Sequence, residues 1–302
     1  MKRLSGVVTP TVTPFLDNED IDVGALRTLT SRLIGQGVGG LFPCGTTGEG
    51  HLLSMEERKL VAETVVREAA GRVPVYIQSG AMSLKDSIEL SQHAVDCGAD
   101  GVGVVTPSYY ALSRSAIEDY YAAIAGALPK DFPIYLYSIP ENALNDITPA
   151  AAASLADRCE NIIGIKYSGD DFVQLEAYTE IRGGTFSVFS GNDRTFAAVM
   201  AAGCDGTVSG LSNIFTELIV SVYAAFKDGD TDLAMQLQKK VYRNSLCLFD
   251  AYFLASLKAG IGLTGIEVGK PRKPLPELTR EESRHLKKAF SGMKLTQPEN
   301  PR

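Results

Sequence analysis

Lys166 stands where a charge is hard to accommodate. It lies in Asn161-Ile162-Ile163-Gly164-Ile165-Lys166-Tyr167-Ser168, an apolar, β-branched run that reads as a buried parallel strand. An ammonium buried without a partner is driven toward the neutral amine, and a neutral amine attacks carbonyl carbon. One reading is therefore a Schiff-base lysine. The other is a strand-end lysine that reaches solvent or pairs with Asp170 or Asp171.

Two further groups suit carbonyl chemistry. Gly45-Thr46-Thr47-Gly48 places two hydroxyls and exposed N–H groups between glycines, a turn able to cradle a carboxylate or a phosphate, or a plain tight turn. Tyr137 closes an apolar run with its phenol, which serves either as a proton shuttle or as a core tyrosine with a satisfied hydroxyl. Amine, anion clamp and proton relay together make the kit of an imine-forming enzyme. Metal chemistry has no such set: His51, His93 and His285 show no ligand spacing, and the five cysteines contain no CxxC pair. The expectation is no metal and no cofactor beyond a covalent imine on Lys166.

The elements that must position these groups alternate regularly. Candidate strands are Gly6–Thr9, Gly40–Cys44, Val73–Ser79, Gly101–Thr106, Pro133–Ser138, Ile162–Tyr167, Phe186–Ser190 and Gly206–Ser209. Helical patterns separate them at Asp22–Ile34, Ser54–Ala69, Leu84–Cys97, Arg114–Ala127, Pro149–Arg158, Phe172–Ile181 and Arg194–Ala202. Ser54 with Glu57, and Thr148 before Pro149, read as caps, and Gly35, Gly71, Gly98 and Gly203 as left-handed stops. Eight strand–helix units predict an α/β protein, a (β/α)₈ TIM barrel, with an open doubly wound sheet as the alternative. The barrel is expected over residues 1–225 and a C-terminal helical extension over 226–302; after the eighth strand, helices are expected at Ile214–Phe226, Asp232–Phe249, Tyr252–Ala259 and from Thr279. The proline-rich stretch Lys270–Pro276 should form an extended strap between the last two.

In such a barrel the strand C-termini share one rim. There the second strand delivers Gly45–Glu49, the fourth Tyr109-Tyr110, the fifth Tyr137-Ser138-Ile139-Pro140, and the sixth Lys166. The seventh delivers Gly191-Asn192-Asp193 and the eighth Ser209-Gly210. Gly35-Gln36-Gly37-Val38-Gly39-Gly40 matches GxGxxG in form, but it joins a helix to a following strand, the reverse of a dinucleotide site.

With 302 residues, 45% hydrophobic and 22% charged, the chain can bury a large core. A net charge of −7 argues against nucleic acid. No apolar run suits a signal peptide or a membrane span, and the scattered, odd cysteines suit a reducing cytoplasm.

Gly45-Thr46-Thr47-Gly48-Glu49, Tyr137-Ser138-Ile139-Pro140 and Gly164-Ile165-Lys166, in this order at strand ends, resemble the dihydrodipicolinate synthase / N-acetylneuraminate lyase family over about residues 4–295. The resemblance implies a homotetramer of barrels that holds pyruvate, or the pyruvoyl part of a 2-oxo acid, as an imine on Lys166. It further implies that Thr46 and Thr47 bind the carboxylate and join a proton relay, with Tyr137 as central acid/base. Tyr109 would match a tyrosine lent across a dimer interface, and Gly191 and Val208 would line the pyruvate.

Departures bear on the second substrate. Synthases of this family carry an arginine where this chain has Asn142, whereas Tyr109-Tyr110 and Ile139-Pro140 are closer to the lyase branch. Sialic acid lyases place an acidic residue where Arg194 stands and a serine where Gly210 stands. Ser138 replaces the usual asparagine. Asn142 and Asp193 suit hydroxyls, and Arg194 either grips a distal carboxylate or points to solvent. The expectation is a lyase acting on a 2-oxo-3-deoxy sugar acid, such as N-acetylneuraminate or 2-keto-3-deoxygluconate. Dihydrodipicolinate synthase is the alternative, and a barrel that binds or regulates without turnover is a further one.

Overall fold

The computed structural model describes residues 4–249 and 252–293. The expected domain limits also take in residues 1–3, 250–251 and 294–302, which lie outside the described residues. Among the described residues eight parallel strands form one sheet: β1 (Gly6–Thr9), β2 (Gly40–Leu41), β3 (Tyr76–Gln78), β4 (Gly101–Val105), β5 (Ile134–Ser138), β6 (Ile162–Tyr167), β7 (Ser187–Ser190) and β8 (Gly206–Val208). They pair in the order β2-β1-β8-β7-β6-β5-β4-β3. A parallel bridge from Leu41 to Val75 then joins the two ends. The sheet is thus a barrel, as the alternation predicts, and the open-sheet alternative falls.

Strands β2 and β3 are shorter than the apolar runs suggest. Pro43 has no N–H to give a ladder, and Cys44 is left-handed at φ 62°. Pro74 likewise interrupts the run before Tyr76.

The barrel helices are α1 (Val23–Gly35), α2 (Met55–Ala69), α3 (Leu84–Asp96), α4 (Arg114–Gly126), α5 (Pro140–Ala143), α6 (Pro149–Arg158), α7 (Phe172–Thr179) and α8 (Phe196–Ala201). Ser54 and Glu57 close a full capping box on α2, and Thr148 caps α6 with Pro149 in its first turn. Gly71, Gly98 and Gly203 are left-handed as expected, but after α1 that role falls to Gly37, because Gly35 still belongs to the helix. The GxGxxG stretch is accordingly a helix stop. The single turn α5 has no pattern to announce it: Pro140 starts it, and Leu144 ends it at φ 66°.

Two packed layers result. Outward strand residues such as Leu41, Val102, Ile134 and Ile165 pack under the helices. Inside the barrel a second cluster holds Val8, Phe42, Tyr76, Tyr135, Tyr137, Phe189 and Val208. Glycines leave room for this aromatic filling. A Cβ on Gly103 would come within 2.3 Å of the Phe42 ring, and one on Gly164 within 2.5 Å of Tyr135. Gly103 therefore leaves the space that the Phe42 ring occupies.

After β8 come α9 (Thr216–Lys227), α10 (Thr231–Ser245), α11 (Phe253–Leu263) and α12 (Arg280–Ser291). The expected limit at residue 225 falls in the last turn of α9. The strap after α11 first meets the barrel where Val268 accepts the N–H of Phe15, and then bends at Arg272–Leu275. No helix among the described residues is long and apolar enough to cross a membrane.

Candidate active site

Strand register decides what meets at the rim. Val105 on β4 pairs with Tyr137 on β5, Tyr137 with Lys166 on β6, and Lys166 with Phe189 on β7. In a parallel sheet paired residues share a face, so these side chains form one inward layer. Tyr137 is 1% exposed and Lys166 5%. The Lys166 Nζ lies 3.8 Å from the centroid of the Tyr137 ring and 5.0 Å from that of Phe42. Among the described residues no carboxylate pairs with it. The ion-pair alternative for Lys166 fails at both candidates. Asp171 accepts the Gln174 N–H as the N-cap of α7, and Asp170 accepts from Asn192 Nδ2 at 3.2 Å.

Tyr137 reaches Thr46. Their hydroxyls are 3.1 Å apart, and either can donate. Thr46 belongs to the turn after β2, a tight fold of chain. A Cβ on Gly48 would come 2.8 Å from Thr11 O and 3.1 Å from Cys44 N, so only glycine fits there. Glu49 N–H donates to Thr46 O and Gly50 N–H to Gly45 O. The N–H groups of Thr46, Thr47 and Gly48 have no acceptor among the described residues. Free N–H groups beside a hydroxyl form a concavity suited to an anion. Gly45 is less constrained, since a Cβ there would meet Phe42 at 3.5 Å.

The loops after β7 and β8 carry more of the expected residues. A Cβ on Gly210 would come 3.8 Å from Thr47 Oγ1, which brings the loop after β8 to the turn after β2. A Cβ on Gly191 would strike Ser168 Oγ at 2.0 Å, so that glycine is demanded by Ser168, two residues beyond Lys166. Val208 is 3% exposed within the barrel interior. Asp193 accepts the Leu211 N–H through Oδ2 at 3.1 Å, while its buried Oδ1 has no partner. Burial pushes its carboxyl up to about 6, against the opposing pull of the Ser209 hydroxyl, the Leu211 N–H and the charges of Lys166 and Arg194. Arg194 does not simply point to solvent: its Nε lies 3.4 Å from Ser245 Oγ on α10.

Two expected residues stand apart within the single chain. Tyr109 is 77% exposed, left-handed at φ 74°, and packs edge-on against Tyr110 with ring centroids 5.0 Å apart. Asn142 is exposed on α5, and its side chain makes no hydrogen bond among the described residues. Among those residues no group of three or more His, Cys, Asp or Glu side chains could hold a metal ion.

Three features were beyond the motif pattern. Phe42 forms part of the floor under Lys166, although its position in an apolar run carries no chemical signal. Ser138 donates to Asp146 Oδ1 at 2.6 Å, and Asp146 also accepts from Ile147 N and Gln174 Nε2. Its hydroxyl thus ties the end of β5 to the chain leaving α5. Lys258 on α11 is a second buried lysine, 2.6 Å from Glu49.

Sequence comparison settles the family. The model of the dihydrodipicolinate synthetase family matches residues 3–293. The chain belongs to that family. It is a carbon–carbon lyase of the class I aldolase type, and its family works on pyruvate. A 4-hydroxy-tetrahydrodipicolinate synthase of Methanopyrus kandleri is 34% identical, over 94% of each chain. The probable 2-dehydro-3-deoxy-D-pentonate aldolase YjhH of Escherichia coli is 33% identical, over 89% of this chain and 90% of YjhH. Among solved structures, YagE of E. coli, in complex with pyruvate, superposes with a TM-score of 0.92 at 31% identity, over 97% of this chain and 99% of YagE. A sialic acid aldolase of Ruminococcus gnavus reaches 0.91 at 26% identity, over 95% of each chain.

Proposed function

We propose that this lyase cleaves, or in reverse forms, a 2-oxo-3-deoxy sugar acid through an imine on Lys166, with pyruvate as the three-carbon product. The observation that carries the reading is the buried Lys166 amine without a carboxylate partner, set against Tyr137, whose hydroxyl meets Thr46. The Lys166 Nζ attacks C2 of the substrate, and the carbinolamine loses water to give the iminium. Thr47 and the free N–H groups of Thr46–Gly48 hold the C1 carboxylate, with Gly45, Gly191 and Val208 around the C3 end. Tyr137, backed by Thr46, takes the C4 hydroxyl proton as the C3–C4 bond breaks and its electrons flow into the iminium. The resulting enamine is protonated at C3, and water releases pyruvate from Lys166.

The iminium is the electron sink, so no metal or cofactor is called for, and turnover should survive EDTA. The aldehyde half meets Asp193 and Asn142, which offer hydrogen bonds to hydroxyls. Asn142 lacks the charge-assisted, bidentate grip that an arginine gives a carboxylate. That disfavours aspartate semialdehyde, the partner that a synthase such as the M. kandleri relative points to. The likeness to YjhH favours a sugar acid.

We also place Tyr109 at an interface, where a second copy would cover its exposed ring and receive it in the relay. The assembly would then be a dimer of dimers. The five free cysteines suit a cytoplasmic location.

A panel of 2-oxo-3-deoxy sugar acids, read by pyruvate release, tests the reading. A higher kcat/KM for condensing pyruvate with aspartate semialdehyde than for cleaving any sugar acid would replace it with the synthase. No imine and no turnover with either would leave a binding barrel.

A further inference from the structure

The turn that carries Thr46 and Thr47 is bracketed by strain. Cys44 at φ 62° and Glu49 at φ 55° are both left-handed without being glycine. Such residues persist where the surroundings over-determine them. At Glu49 those surroundings come from the far end of the chain. Its carboxylate, with a side chain 0% exposed, turns away from the rim into the body of the protein. One oxygen lies 2.6 Å from Lys258 Nζ, and the other accepts the Arg272 N–H at 2.7 Å.

Both partners of Glu49 are themselves held. Lys258 Nζ donates to Lys270 O at 3.0 Å and sits 4.1 Å from the centroid of the Phe15 ring. The Arg272 guanidinium lies 4.4 Å from the same ring, pairs with Glu57 at 2.7 Å and donates to Leu52 O at 3.0 Å. Helix α11 and the strap therefore reach the catalytic turn through a single buried carboxylate.

Stability is a poor explanation for this pair. Burying two charges costs several kcal/mol per ion, and apolar pairs of similar shape often do as well. Burial holds the Lys258 ammonium down at about 8 even with a carboxylate beside it. What a buried ion pair supplies that an apolar pair cannot is direction.

We propose that Glu49, held by Lys258 and Arg272, is a positioning residue: the C-terminal extension sets the Thr46 hydroxyl against Tyr137 and aims the free N–H groups of the turn. The kinetic consequence rests on the imine chemistry proposed above. A turn displaced by about 1 Å can lose on the order of 10²-fold in rate.

The test compares Glu49→Gln, Lys258→Met and the double variant with wild type and with Arg27→Met, which cuts an exposed pair to Glu68. The readouts are melting temperature, half-saturation by pyruvate in borohydride trapping, kcat, and hydrogen exchange of the peptide spanning residues 44–50. Each single variant should raise the pyruvate half-saturation and lower kcat by about 10–100-fold, and speed exchange in that peptide, while Arg27→Met changes none of these. The double variant leaves no unpaired buried charge, so it should recover melting temperature but keep the kinetic and exchange defects. If the single variants do not fold, the double variant decides. Wild-type half-saturation, kcat and exchange in the folded double variant overturn the proposal. So does a double variant that cannot fold, because the pair then serves the fold as a whole. A wild type that traps no pyruvate sinks only the imine chemistry, and the exchange comparison still decides the role of Glu49.

Discussion

Lys166 Nζ lies 3.8 Å from the centroid of the Tyr137 ring, one strand away and in direct register with it. The ring face packs against the amine where no carboxylate does, and the amine attacks a carbonyl once its proton has left. The same ring carries the hydroxyl that meets Thr46.

Pyruvate followed by borohydride should add one mass to the protein, at Lys166. Lys258 is the informative comparison, being equally buried but ion-paired to Glu49. A peptide map that puts the adduct on Lys258 would assign the chemistry to the wrong end of the chain.

Tyr137→Phe should still trap pyruvate while losing about 10²–10⁴-fold in kcat, the usual contribution of a general acid/base. Thr46→Val should move in the same direction by less. A Tyr137→Phe enzyme with unchanged kcat would return the tyrosine to the core.

Asp193 gives a pH signature. Its folded carboxyl titrates at about 6 against an ordinary 3.8, so the folded chain holds a proton there that the unfolded chain has already released. That contribution to stability is present below about pH 3.8 and is lost as pH rises through 6. Asp193→Asn should therefore stabilise the fold at pH 7, by about 1–3 kcal/mol, with little effect near pH 3.5. The same substitution should remove a rise through pH 6 in kcat/KM for a sugar acid, because only the carboxylate accepts from two hydroxyls. Thermal melts and kcat/KM at pH 5 and 7.5 check both signs.

Gly48→Ala and Gly45→Ala should part company. A Cβ at Gly48 meets the backbone at Thr11 O and Cys44 N, which cannot yield as a side chain end can, whereas at Gly45 it meets Phe42 at ordinary contact distance. Overpacking of this kind costs about 1–3 kcal/mol, and here it also shifts the anion cradle. Gly48→Ala should lose stability and pyruvate affinity together, and Gly45→Ala should keep both. Equal behaviour in melts and trapping would show that the turn is softer than its contacts imply.

Much of this was written along the chain. Strand–helix alternation, caps such as Ser54 with Glu57, and the run around Lys166 are local signals, because periodicity and capping depend on residues within a turn or two of one another. Those signals alone determined a barrel and put Lys166, Tyr137 and the Gly45–Gly48 turn at one rim. They misjudged where periodicity and backbone chemistry conflict: apolar runs promised longer second and third strands, but Pro43 and the left-handed Cys44 end the second early and Pro74 delays the start of the third. What only the tertiary structure decided were contacts between residues distant in sequence. That Asp170 and Asp171 face Asn192 and helix α7, leaving Lys166 unpaired, depends on how β6, β7 and their loops pack. That Glu49 is gripped by Lys258 and Arg272 more than 200 residues later follows from burial. A buried polar group must find its partner wherever the fold brings one within about 3 Å, and no spacing in the sequence records that distance.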